Sequence, residues 1–186
     1  MAQEPQTQAN NLDNWLDAYA ARANTLSASE VRALFAVVSR PEVVSLAGGM
    51  PYVSALPQEL LQKSYESLMA KRGNLALQYG SGQGDLELRE QIRHLMALEG
   101  ISSSVEDIII TTGSQHGLDL LSGLFLDEGD VVLAEAPSYV GALGIFHHYE
   151  AHVEHVYTDD SGMSPDALQE SIDRMKEQGR KIKFLY

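Results

Sequence analysis

Apolar and polar positions alternate with helical spacing near the start of the chain. Leu12, Trp15, Leu16 and Tyr19 share one face of a helix over 12–20, after a loose tail at 1–11. Ser27-Ala28-Ser29-Glu30 has the form of a capping box and predicts a helix continuing through Val31–Val38, which Arg40-Pro41 breaks. Val43–Leu46 is a short extended stretch leading into the turn signal Gly48-Gly49-Met50-Pro51. Pro57 suits the first turn of a helix to about Ala70, and a further helix is expected over Asp85–Leu98, closed by Gly100. From residue 107 the pattern becomes regular. Strands are predicted at 107–112, which contains Ile108-Ile109-Ile110, and at 131–135, 153–157 and 181–186. Helices are predicted at 114–125, at 139–146 and after Ser164-Pro165. Alternating strands and helices imply an α/β fold with a mainly parallel sheet. Ligands of such sheets sit beyond the C-terminal strand ends.

Composition narrows the classes. The 186 residues are 44% hydrophobic, enough for one domain with a sizeable core. Thirteen Lys and Arg face 26 Asp and Glu, a net charge of −13. A surface this acidic disfavours nucleic acid and anionic membranes as partners, while a local basic pocket can still hold an anion. There is no cysteine, so no disulfide framework or thiol chemistry is expected. The polar start lacks a signal-peptide pattern, and no apolar run reaches membrane-span length, so a cytoplasmic protein is expected.

Three segments carry candidate chemistry. Thr111-Thr112-Gly113-Ser114-Gln115 follows an apolar run and opens a helix. A helix start offers unpaired N–H groups and partial positive charge; Gly113 lets an anion approach and Ser114 adds a hydroxyl. The turn reads as a phosphate seat, or else as an ordinary strand–helix turn capped by Ser114. Glu135-Ala136-Pro137-Ser138-Tyr139 ends the next strand, which places Tyr139 beside that seat in a parallel sheet. Its ring could stack on a flat heteroaromatic cofactor, or serve as a core aromatic. Leu77-Gln78-Tyr79-Gly80-Ser81-Gly82-Gln83-Gly84 is a glycine-rich loop or a plain connector. No Gly-Lys-Ser/Thr is present, so no P-loop. His147, His148, His152 and His155, with Glu150 and Glu154, straddle a helix end and a strand whose side chains diverge, so no metal site is expected. His116 reads as a packed or capping residue.

Three sets of residues, in this order, resemble the class I/II aminotransferases, which depend on pyridoxal 5′-phosphate (PLP) and adopt the fold-type-I architecture. They are Ser45-Leu46-Ala47-Gly48-Gly49-Met50-Pro51, then Gln78-Tyr79-Gly80 through Gly84 with Leu88-Arg89, then Thr112-Gly113-Ser114-Gln115-His116-Gly117 with Glu135-Ala136-Pro137-Ser138-Tyr139. The similarity covers about residues 28–186 and is nearest to the branch of the α-aminoadipate aminotransferases and MocR-type regulators. It implies three stretches. Residues 1–27 form a tail and helix. Residues 28–70 are shared with a small domain and the active-site wall. Residues 71–186 form the first part of a PLP-binding large domain, incomplete at its C-terminus.

The resemblance also implies roles. Gly113, Ser114 and Gln115 hold the cofactor phosphate, and Tyr139 stacks on the pyridine ring. Tyr79 reaches the phosphate of the neighbouring subunit, making a homodimer the working unit. Gly49 places an N–H near the substrate carboxylate, and Arg32 faces an acidic substrate side chain. In the family the Schiff-base lysine, the acid facing the pyridine nitrogen and the arginine for the α-carboxylate lie further C-terminal. None of Lys63, Lys71, Lys176, Lys181 or Lys183 follows the family's lysine motif, so this chain is expected to lack catalytic residues of its own. The implied activity is amino-group transfer between an α-amino acid and a 2-oxo acid. The alternatives are a non-catalytic PLP-binding regulatory domain, an inactive fragment, or another PLP reaction such as β-elimination.

Overall fold

The computed structural model describes residues 18–20, 23, 37, 40, 42–44 and 51–186. Most of the helices and turns expected before Pro51 lie outside the described residues. So do Arg32 and Gly49. The rest forms two compact units, one ending at Gly117 and the other spanning Leu118–Tyr186.

In the first unit, α1 (Gln58–Ala76) starts after Pro57, whose carbonyl accepts the Leu61 N–H at 3.0 Å. The helix is longer than predicted. Gly73–Ala76, beyond the expected end near Ala70, is helical, since Asn-Leu-Ala contains no β-branched residue to resist it. The chain departs from helical angles at Arg72, whose guanidinium pairs with Asp85 at 2.7 Å and also with Glu87. α2 (Leu86–Leu98) is N-capped by Asp85, which accepts the Leu88 N–H at 3.1 Å, and ends near Gly100 at φ +78°. Arg89 on α2 is buried and donates to the Val105 carbonyl at 2.9 Å. That contact pins the 3-10 turn Val105–Asp107, which Ser104 and Asp107 close with a reciprocal capping box.

Ile108–Ile110 departs from expectation. Three consecutive isoleucines predict a strand buried on both faces, yet Ile109 is 55% exposed and no strand among the described residues pairs with this segment. The run is extended at Ile108, and Ile110 donates its N–H to the Gln83 carbonyl at 2.9 Å. α3 (Gly113–Phe125) follows.

The second unit holds a four-stranded sheet in the order β3-β2-β1-β4. β1 (Val131–Ala136) pairs in parallel with β2 (His152–Asp159) and β4 (Ile182–Leu185), and β3 (Gly162–Met163) adds an antiparallel edge to β2. That short edge strand was not anticipated; it follows the turn where Asp159 accepts the Ser161 N–H. α4 (Val140–His148) and α5 (Pro165–Glu177) complete the βα alternation, with Ser164 capping α5.

β1 is buried on both faces, as a central parallel strand should be. Val132 packs with Phe146, Ala142 and Leu126 on one side, while Val131 and Leu133 pack with Val156 and Met175 on the other. Phe146 is fully buried and meets Phe184 and Tyr186 edge-on at 5.8 and 5.4 Å. Truncating such a ring to alanine costs about 3–5 kcal/mol.

Candidate functional site

The Thr111–Gln115 turn is built by local bonds. Gly113 sits at φ +75°, a region glycine enters without strain, and its N–H donates to the Thr111 carbonyl at 2.9 Å. The Thr111 hydroxyl donates back to the Gly113 carbonyl at 3.0 Å. His116 accepts the Thr112 N–H on Nδ1 at 3.1 Å, a capping role. Gly113, Ser114 and Gln115 therefore lie together in the first turn of α3, exposed, with no acidic side chain in that turn to neutralise its positive end. Space is open where a Cβ on Gly113 would stand. Backbone N–H donors, a hydroxyl and no carboxylate make a donor set suited to an anion.

Tyr79 belongs to the same unit and is 99% exposed. Gln78 turns its side chain back to accept the Tyr79 N–H at 2.8 Å. Downstream, Gly84 donates to the Ser81 carbonyl at 3.0 Å and takes φ +96°. The Gln83–Ile110 bond ties this loop to the segment that feeds the α3 turn.

In the other unit, β1 runs out into a cis Ala136-Pro137 bond, and the Ser138 hydroxyl donates to the Glu135 carbonyl. The Ala136 N–H donates to the Thr158 hydroxyl at 3.3 Å. Tyr139 occupies the N-cap position of α4, its carbonyl accepting from Ala142 at 3.1 Å and from Leu143 at 3.2 Å. Its side chain is left 56% exposed at the C-terminal end of the parallel strand.

The model of the family described as aminotransferase class I and II matches residues 41–186. The chain belongs to that family. It is 36% identical over 169 residues to aromatic-amino-acid aminotransferase 1 of Thermococcus litoralis, covering 90% of this chain and 40% of that protein. Among solved structures, the kynurenine aminotransferase of Pyrococcus horikoshii superposes with a TM-score of 0.85 at 38% identity, over 94% of this chain and 43% of that one. The α-aminoadipate aminotransferase of Thermus thermophilus, complexed with N-(5′-phosphopyridoxyl)-L-leucine, gives a TM-score of 0.78 at 34% identity, over 92% and 40%. These neighbours confirm the fold class, a mixed α/β architecture of mostly parallel strands flanked by helices. The chain spans less than half the length of each of these proteins.

Within this family member, Lys183 is committed elsewhere. Its ammonium donates to the Phe125 carbonyl at 2.6 Å and pairs with Asp130 at 3.0 Å, which holds it protonated above the usual lysine range. Lys63, Lys71, Lys176 and Lys181 are exposed. Among the described residues no group of three or more His, Cys, Asp or Glu is placed to hold a metal. His152 instead faces Glu154, which also binds Arg174. No helix among the described residues is long and apolar enough to cross a membrane.

Sequence reasoning missed Gly141. Its signal was the spacing Tyr139-x-Gly141 at a helix start, whose meaning depends on which way the tyrosine ring turns.

Proposed function

We propose that the protein carrying this chain transfers an amino group between an α-amino acid and a 2-oxo acid with PLP as cofactor. The observation that carries the reading is the α3 start: glycine-opened, exposed, rich in N–H donors and free of acidic residues in its first turn. The phosphopyridoxyl ligand of the Thermus relative and the substrates in the relatives' names support it.

When bound, PLP supplies an electron sink for the charge left as the substrate Cα proton departs. Ser114 would hold the phosphate through its backbone N–H and hydroxyl with Gln115 beside it, while Gly113, whose own N–H is bound to Thr111, would leave the approach open. Tyr139 covers the pyridine ring from the end of β1. Tyr79, projecting from its own subunit, donates to the phosphate held by a second copy, so the working unit is a homodimer. Gly49 and Arg32 contact the substrate carboxylate and an acidic substrate side chain. Covalent attachment of the cofactor is assigned to none of the five lysines: none follows the family's lysine motif, and Lys183 is ion-paired with Asp130.

The test is to titrate the whole protein with PLP and, separately, with pyridoxal, then to supply aromatic amino acids or 2-aminoadipate with 2-oxoglutarate and follow the new 2-oxo acid. Tighter binding of PLP than of pyridoxal, with amino transfer, is expected. Equal binding of the two would remove the phosphate seat; tight PLP binding without amino transfer would point to another PLP reaction.

A further inference from the structure

The Tyr139 ring turns back along the start of α4 and lies over Gly141. A Cβ built on Gly141 would stand 2.6 Å from Cε1 and from Cζ of that ring and 2.7 Å from its hydroxyl oxygen. Carbon atoms pack best at about 3.5–4.0 Å, so ring and methyl group cannot share this space. The backbone does not call for glycine here. Gly141 lies inside the helix and is absent from the positive-φ glycines. A helical glycine ordinarily weakens its helix relative to alanine. Gly144, on the same helix, meets nothing within 4 Å of a built Cβ. A Cβ on Gly141 would therefore meet the tyrosine ring, and one on Gly144 would meet nothing.

We propose that Gly141 is a positioning residue that sets the orientation of the Tyr139 ring. The inference rests on the reading that Tyr139 covers the pyridine ring of the cofactor. The Tyr139 ring would give way cheaply to an alanine at 141, because its clashing atoms are the far end of a half-exposed side chain. The fold survives and the ring swings off its seat. Stability and cofactor binding then move in opposite directions, which a general structural defect does not produce.

The experiment measures PLP and pyridoxal dissociation constants and apo-protein Tm for the whole protein, wild type against G141A, G144A, Y139A and Y139A/G141A. Stacking acts on the pyridine ring that both ligands share. G141A should therefore weaken both by a similar factor, roughly three- to tenfold, the size of one lost aromatic contact. Its Tm should stay level or rise. G144A should bind as wild type, and G141A should add nothing in the Y139A background. Three results would overturn the inference while leaving the aminotransferase reading intact: unchanged binding by G141A while Y139A is weakened, the same loss in the Y139A background, or a fallen Tm for G141A. Unchanged binding by Y139A would overturn the stacking role itself, and absence of PLP binding by the wild type would overturn the proposed function.

Discussion

Gly84 and Ile110 touch so closely that no side chain fits between them: a Cβ on Gly84 would lie 2.4 Å from Cγ1 and 2.6 Å from Cβ of Ile110. Ile110 cannot yield easily, because its β-branch is stiff and the Cβ moves only with the backbone. Gly84 also holds φ +96°, which strains any L side chain. Gly84→Ala should therefore destabilise the protein by about 2 kcal/mol or more. Gly82→Ala, where the space is open, should stay within about 0.5 kcal/mol. Urea midpoints at constant m check both, and a neutral Gly84→Ala would show that the loop can rearrange around Ile110.

How far this was legible from sequence depends on the range of the contact involved. The βα alternation after residue 131 was visible because each element there declares itself locally: an apolar run for β1, Ser164-Pro165 for α5. The Gly113 turn was visible for the same reason. The irregular course of Ile108–Ile110 was not, since three isoleucines announce a buried strand without naming a partner strand, and none among the described residues pairs with them. α1 ran past its expected end because Gly73 costs a helix too little to stop it, whereas the Arg72 ion pairs that shape that end join residues 13 and 15 positions apart. Gly141 was invisible because its role depends on a side-chain rotamer.

Asp130 and Lys183 predict how stability varies with pH. The Asp127 N–H, bound at 2.8 Å, and then the Lys183 ammonium hold the Asp130 carboxyl below its ordinary value of 3.8. Asp85, N-capping α2, and Asp107, bound by Ser104, are lowered likewise. Each lowered carboxyl stabilises the fold above its unfolded value, and that contribution is lost as pH falls through the folded value. Lys183 is raised above 10.5, chiefly by Asp130, so its contribution is present below 10.5 and is lost as pH rises through the folded value. Tm should be flat between about pH 5 and 10 and fall on both sides. Asp130→Asn should lower Tm across the neutral range, with the gap to wild type narrowing below about pH 4. A gap independent of pH would show that the carboxylate charge contributes nothing.

Ser122 offers a stabilising change. It is fully buried on α3, and its hydroxyl has no hydrogen-bond partner among the described residues. It lines a cavity of about 290 Å³ walled by Leu118, Leu121, Phe125, Phe146 and Phe184. A buried hydroxyl left unpaired costs about 1–3 kcal/mol, and alanine is also the better helix former. Ser122→Ala should leave stability level or raise it by up to about 1 kcal/mol. A loss of more than about 0.5 kcal/mol in a urea titration would reveal a bonding partner for the hydroxyl.

Tyr79 separates function from folding. At 99% exposure its ring holds nothing together in its own subunit, so Tyr79→Phe should leave Tm unchanged. If its hydroxyl donates to a phosphate, losing that charged hydrogen bond should weaken PLP binding by about tenfold or more and leave pyridoxal binding unaltered. Mixed dimers locate the donor. One subunit carries Tyr79→Phe and its partner carries Gly113→Val, which blocks the partner's own seat. If Tyr79 serves the neighbour, the first subunit's intact seat receives the partner's intact tyrosine, and half the sites bind PLP with wild-type affinity. If Tyr79 serves its own subunit, every intact seat faces a phenylalanine, and no site recovers.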